Sequence, residues 1–185
     1  MRLVYVTSRY RPHTGGVETH VAELAERFAA RGHDVTVHTA DAGTRVDGSG
    51  LPDQERRGGV TVRRHRSIGP DDAVHLAPGV LPAVRAADAD VVHAHNYHSL
   101  PLAFAAAGAG ERAFVATPHY HGASADATRD RLLSLYRPVG RWALGRADRG
   151  IAVSEWEREG LAADLGVESE VVPNGLDVGR FAGAT

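Results

Sequence analysis

Arg2-Leu3-Val4-Tyr5-Val6-Thr7, then Ser8-Arg9-Tyr10-Arg11-Pro12-His13-Thr14-Gly15-Gly16, then Val17 to Arg31: this opening stretch lays out a strand, a polar loop and a helix. Leu3 to Thr7 is short, apolar and β-branched, which is the composition of a buried strand. Val17, Val21, Leu24, Ala25 and Phe28 recur at the helical period, and Gly32 stops that helix. Asp34 to Thr39 is a second strand, so the segment forms a βαβ unit with a parallel strand pair. Gly15 and Gly16 stand between strand end and helix start. Without a Cβ the backbone can approach a ligand there, and the unpaired first N–H groups of the helix favour an anion, most often a phosphate. A tight strand-to-helix turn with no ligand would use the same two glycines.

The alternation continues to the end of the chain. Asp41 to Gly59 is rich in Asp, Gly, Ser and Arg and reads as a long loop. Val60 to Arg66 alternates apolar and charged residues, the pattern of an edge or half-exposed strand. Strands are predicted over Asp90 to His95, Ala113 to Pro118, Gly150 to Ser154 and Glu170 to Pro173. Helices are predicted over Ala77 to Ala87, Leu100 to Ala107, Arg129 to Ala147 and Glu155 to Leu165. The implied fold class is α/β, a doubly wound, mostly parallel, Rossmann-like sheet. Such sheets bind ligands at the C-terminal ends of their strands. Polar and aromatic residues gather there in this chain: Arg9, Tyr10, His13, Gly15 and Gly16; His95, Asn96, Tyr97 and His98; His119, Tyr120 and His121; Ser154 and Glu155; Asn174, Gly175 and Asp177.

With 185 residues, 43% hydrophobic and 24% charged, the chain suits one globular domain with a proper core. A formal net charge of −2 gives no pull towards nucleic acid. All basic residues are Arg, and Cys is absent, which excludes disulfides and thiolate metal sites. No apolar run is long enough to span a bilayer, and Met1-Arg2-Leu3 enters a strand directly, so a cytoplasmic protein without a signal peptide is expected. The glycine loop lacks Gly-x-Gly-x-x-Gly, which argues against a dinucleotide, and the lack of Lys excludes a P-loop. His93-x-His95-x-x-His98 and His119-x-His121 have ligand-like spacing, but neither cluster carries a neighbouring carboxylate, so no metal site is expected. His93 reads as a strand histidine bonded to backbone under a helix. His119 and His121 follow a strand end, where an imidazole can donate to a sugar hydroxyl or a phosphate, or carry a proton.

Taken in order, Gly15-Gly16-Val17-Glu18, Arg31-Gly32-His33-Asp34-Val35, Val92-His93-Ala94-His95, Thr117-Pro118-His119, Ala147-Asp148, Val153-Ser154-Glu155 and Val172-Pro173-Asn174-Gly175-Leu176-Asp177 resemble the N-terminal half of a family 4 glycosyltransferase with the GT-B fold. The resemblance implies a retaining, metal-independent enzyme that moves a sugar from a nucleotide sugar, such as a UDP- or GDP-sugar, with no cofactor. It implies that Gly15 and Gly16 lie against the donor diphosphate and that His119 meets the donor sugar or reacting centre. Arg9, Tyr10, His13, His95, Asn96, Tyr97, His98, Tyr120, His121, Ser154 and Glu155 become acceptor or sugar contacts. Asn174, Gly175 and Asp177 become a hinge between lobes. Residues 1–177 would then be the N-terminal domain and 178–185 the start of a linker. The C-terminal donor-binding lobe, with its Glu-x7-Glu motif, would be absent from this chain. Glu18 and Glu26 have that spacing by accident, on the first helix. The family's reaction assigns no protein nucleophile, so the protein groups would stabilise phosphate charge, and this chain alone would transfer little.

The acceptor stays open between a glycan, a lipid-linked molecule and a small molecule. In Arg129 to Arg149, Leu132, Leu133, Leu135, Tyr136, Val139, Trp142 and Leu144 line one side among arginines. Two readings fit that pattern: a crossover helix packed on the sheet, which a doubly wound fold needs here, and a peripheral contact with the inner face of a membrane. Two other functions also stay open: a GT-B-type sugar-nucleotide epimerase, and a non-catalytic lobe that binds acceptor and pairs with a donor-binding chain.

Overall fold

A computed structural model describes residues 1–41, 50–68, 75–122 and 127–175, with the side chains of 127–133 excepted. Asp177, residues 178–185 and the side chains of Leu132 and Leu133 lie outside the described set. The elements run β1 (Arg2–Thr7), α1 (Gly16–Ala30), β2 (Asp34–Ala40), β3 (Gln54–Arg57), β4 (Val60–His65), α2 (Val80–Ala86), β5 (Val91–His95), α3 (Leu100–Gly108), β6 (Ala113–Thr117), α4 (Ala127–Gly145), β7 (Arg149–Ala152), α5 (Glu155–Gly160) and β8 (Glu170–Val171). A π-helical turn, Leu161–Leu165, continues α5.

The sheet order is β3-β4-β2-β1-β5-β6-β7-β8. All neighbours are parallel except β3 and β4. This is the expected doubly wound architecture, with its reversal of winding between β1 and β5. The alternation of strand side chains divides the core. Leu3, Tyr5, Val35, Val37 and Val62 face α1 through Val21, Ala22 and Ala25. Val4, Val6, Val92, Ala94, Phe114 and Ala116 join a larger cluster with residues of α2, α3 and α4 on the other face.

Two local expectations need correction. The stretch read as a loop from Asp41 to Gly59 contains β3, and β3, not β4, is the edge. The strand's residues, Gln54-Glu55-Arg56-Arg57, carry no apolar alternation, because an edge strand needs only backbone pairing on one side. The signal for it was the two-residue turn Gly58-Gly59, with φ of 56° and 82°, which closes an antiparallel hairpin that side-chain-bearing residues would strain. On β4, Arg64 is buried and donates to Glu55 at 2.5 Å, to the Pro52 carbonyl at 3.1 Å and to the Arg11 carbonyl at 2.8 Å. It thereby ties the loop after β1 to the edge hairpin.

The second correction concerns α4. Its apolar residues split between two stripes. Tyr136, Gly140, Ala143 and Leu144, at helical spacing, are buried. Gly140 is needed there, since a Cβ would come within 2.8 Å of the Tyr97 hydroxyl oxygen. Leu135, Val139 and Trp142 form the adjacent stripe and are 77%, 40% and 48% exposed. The helix does pack on the sheet layer, but not with all of its apolar side.

Candidate functional site

The C-terminal ends of β1 and β5 meet at the reversal of winding, where such sheets open a crevice. Asn96, just after β5, donates from Nδ2 to Ser8 Oγ, just after β1, at 2.7 Å. The Asn96 and Tyr97 amides donate to the Thr117 and Pro118 carbonyls at 3.2 and 2.7 Å, joining the ends of β5 and β6. Asn96 and His119 are left-handed, with φ of 73° and 50°. Non-glycine residues hold that conformation where the surrounding structure over-determines them, a condition concentrated at ligand sites.

A column of imidazoles runs from β5 to the first turns of α1. His93 and His95 share one face of β5, with ring centroids 4.2 Å apart. His93 bonds to the Thr117 hydroxyl at 2.8 Å, a side-chain partner rather than the backbone partner expected. His95 Nδ1 lies 3.3 Å from His119 Nε2. His20 completes the group, with ring centroids 5.8 Å from His95 and 5.4 Å from His119. Sequence reasoning missed His20. Its signal was helical phase, because it falls three residues after Val17 and four before Leu24, at the margin of the buried stripe.

Burial, followed by repulsion from His20 and His121, brings His119 down to about 4. Burial also drives His95 well below the usual imidazole range and lowers His20. All three are therefore neutral near pH 7, so His119 can donate or accept one hydrogen bond but brings no charge. Gly15 is the N-cap of α1 and has no side-chain cap, and both it and Gly16 are exposed. The carboxyl group of Glu18 folds back over Gly15, where a Cβ would meet Glu18 Cδ at 3.0 Å, while Gly16 has open space around it. His20 stands one turn beyond Gly16, and its ring lies 5.4 Å from that of His119, so the start of α1 and His119 face the same crevice.

The other candidates sort by burial. His98, Tyr120 and His121 form a group beside His119: His98 and His121 rings are 4.6 Å apart, and His98 stacks on Tyr120 at 5.8 Å. Arg9 and His13 are half-buried in the loop after β1. Tyr10, 1% exposed, is a core residue under α1. Tyr97 is likewise core, wedged between Tyr120 and Tyr136 at 5.2 and 5.4 Å. Both side chains are buried rather than displayed on the surface. Ser154 is the N-cap of α5, its Oγ accepting from the Glu157 amide at 3.1 Å. Glu155 is exposed and paired with Arg158 at 2.7 Å. The carboxylate that reaches the site's support is Glu157, 2% exposed, which accepts from the amides of Tyr120 at 2.6 Å and Val153 at 2.7 Å. The Ser154-x-x-Glu157 spacing of a helix start was the sequence signal for it. Asn174 and Gly175 are exposed beyond β8.

The fold defines a Rossmann-like lobe with a crevice at these strand ends, and solved GT-B glycosyltransferases share that fold. Sucrose-phosphate synthase from Thermosynechococcus elongatus superposes with a TM-score of 0.70 at 19% identity, over 97% of this chain and 49% of that one. The catalytic domain of starch synthase IV from Arabidopsis thaliana, solved with ADP and acarbose, gives 0.63 at 16% identity, over 99% and 53%. These likenesses are of fold. The profile of Glycosyltransferase Family 4 matches residues 14–180, and the chain belongs to that family, as the ordered motifs implied. It is 34% identical to the phosphatidyl-myo-inositol mannosyltransferase of Mycolicibacterium smegmatis, over 92% of this chain and 42% of that protein. It is 31% identical to the GDP-mannose:cellobiosyl-diphosphopolyprenol alpha-mannosyltransferase of Xanthomonas oryzae, over 99% and 48%. The chain thus spans less than half the length of these relatives.

Proposed function

We propose that this chain is the acceptor-side lobe of an enzyme that transfers a hexose from a nucleotide sugar to an acceptor hydroxyl with retention. The observation that carries the reading is the contact of His20, one turn into α1, with His119, which sets the α1 N-terminus and His119 on one crevice. In this reading the free amides at Gly15 and Gly16 stabilise the charge that develops on the leaving diphosphate, with Glu18 displaced by it. His119, neutral, orients the donor sugar. Arg9, His13, Asn96, His98 and His121 shape the acceptor side. A second lobe supplies the nucleotide contacts, and the relatives' names favour a mannosyl donor such as GDP-mannose. No cofactor takes part.

In the protein carrying both lobes, His119→Ala is expected to lower kcat by about 10²–10³-fold, the scale for one well-placed hydrogen bond at a reacting centre. Gly16→Ala, whose added Cβ meets no protein atom within 4 Å, is expected to raise the donor KM and leave the melting temperature in place. Unchanged turnover in the first variant removes His119 from the reacting centre.

The relatives' names also favour a lipid-linked acceptor, and α4 offers the matching surface. Leu135, Val139 and Trp142 are exposed on one stripe, and Arg137, Arg141 and Arg146 are exposed along the same helix. Apolar insertion flanked by guanidinium groups suits an anionic bilayer surface, and so a cytoplasmic protein peripheral at the membrane's inner face. Among the described residues, no helix is long and apolar enough to cross a membrane. Leu135→Glu with Trp142→Glu is expected to lower co-sedimentation with phosphatidylglycerol vesicles at least about tenfold, with the melting temperature unchanged. Equal sedimentation by wild type and variant would exclude this surface.

A further inference from the structure

We propose that His20, His95 and His119 form a binding site for a zinc-class divalent cation, an ion that inhibits rather than assists the reaction. Each residue offers one imidazole nitrogen, and the three nitrogens lie within 4.8 Å of one another. A tetrahedral ion with Zn–N bonds of about 2.0–2.1 Å holds its ligand nitrogens about 3.3–3.4 Å apart. His95 Nδ1 and His119 Nε2 already stand at 3.3 Å. His20 closes the remaining gap by a shift of at most about 1.4 Å, within reach of a half-buried side chain at the start of a helix. Three imidazoles with one open position make a complete protein ligand set without any carboxylate.

The surroundings of His95 support the assignment. Its ring is fully buried, and its Nε2 has no hydrogen-bond partner. With Nε2 unpartnered among the described residues, Nδ1 is the nitrogen through which this buried ring meets a polar group, the His119 imidazole, and an ion between the two gives Nδ1 a stronger partner there. His93 stays outside the ligand set, because its Nε2 is held by the Thr117 hydroxyl. The sequence clusters concealed the site, since they divide its ligands between two motifs and omit the third, which arrives from α1.

The binding site stands on geometry alone; inhibition follows from the proposed role of His119, whose nitrogen the ion would occupy. The test is titration of the 185-residue chain with Zn2+ by calorimetry and with Co2+ by visible absorption, which reads binding without any turnover. One equivalent of ion and the intense d–d bands of tetrahedral Co2+ are expected. His20→Gln and His119→Gln should each weaken binding by about a hundredfold, since losing a ligand costs at least the upper end of what losing an outer-shell partner costs. Circular dichroism checks that both variants fold, and His20, on a helix surface, is the safer of the two. A spectrum lacking tetrahedral bands overturns the proposal. So does binding that survives both variants but is lost in His33→Gln, where the Met1 amino group lies 3.2 Å from His33 Nδ1 and could hold an ion itself. If the bands appear while Zn2+ leaves turnover of the two-lobed protein intact, the binding site stands and inhibition through His119 fails.

Discussion

Glu157→Ala is expected to destabilise the protein by about 3–5 kcal/mol and to loosen the backbone that carries His119. The carboxylate is 2% exposed and accepts from two main-chain amides, Tyr120 at 2.6 Å and Val153 at 2.7 Å. Alanine leaves the buried Tyr120 amide and the part-buried Val153 amide without this partner, and each such group costs about 1–3 kcal/mol, towards the upper end where a charged acceptor is lost. Glu157→Gln keeps one carbonyl acceptor and should lose about half as much. Urea unfolding measures the first effect. Hydrogen exchange at Tyr120 and Val153 distinguishes local release from a general loss of stability, because only local release raises exchange at these amides ahead of those in β1. The variant also tests the coupling of β7 to the site. Tyr120 follows His119 directly, so its amide fixes where a left-handed residue places its imidazole.

Acidification from pH 6.5 to pH 4 is expected to remove on the order of 3 kcal/mol of stability through His38 alone. His38 is 1% exposed on β2 and bonds through Nδ1 to His65 Nε2 at 2.8 Å. Burial first, then repulsion from His65 and Arg63, brings it down to about 3. The folded value lies below the unfolded one, so the unfolded chain binds more protons. The stabilisation is therefore complete above about pH 6.5 and is lost as the pH falls towards the folded value. His93, lowered to about 3, His119, lowered to about 4, and His95 act in the same direction. Denaturant midpoints measured at half-unit steps should fall continuously below pH 6.5, and His38→Gln should flatten the slope. A stability that stays level down to pH 4.5 would show that these imidazoles are protonated in the folded protein.

Most of the architecture was legible in the sequence because it rests on local periodicity. The apolar runs at Leu3 to Thr7 and Asp34 to Thr39, and the helical stripe of Val17, Val21, Leu24 and Phe28, decide strand or helix within a few residues. Gly15-Gly16 and the motif order then placed the chain among glycosyltransferases. β3 was hidden because an edge strand of Gln54-Glu55-Arg56-Arg57 buries no apolar face, and its pairing is made by backbone groups common to every residue. The two stripes of α4 were hidden for a related reason. Periodicity shows that Leu135 and Tyr136 lie on one broad side of a helix, but only the position of Tyr97 beside Gly140 decides which of them is covered.

The same division holds at the site. Sequence by itself determined the fold class, the strand ends where the candidate residues gather, and His95 and His119 among them, since each depends on residues near one another in the chain. Only the tertiary structure decided that Tyr10 and Tyr97 are core, that Glu157 holds the Tyr120 amide beside His119, and that His20 joins His95 and His119. Those outcomes depend on contacts between segments tens of residues apart. Such contacts follow from how α1 and α5 cross the sheet, and no local pattern of residue types records that crossing.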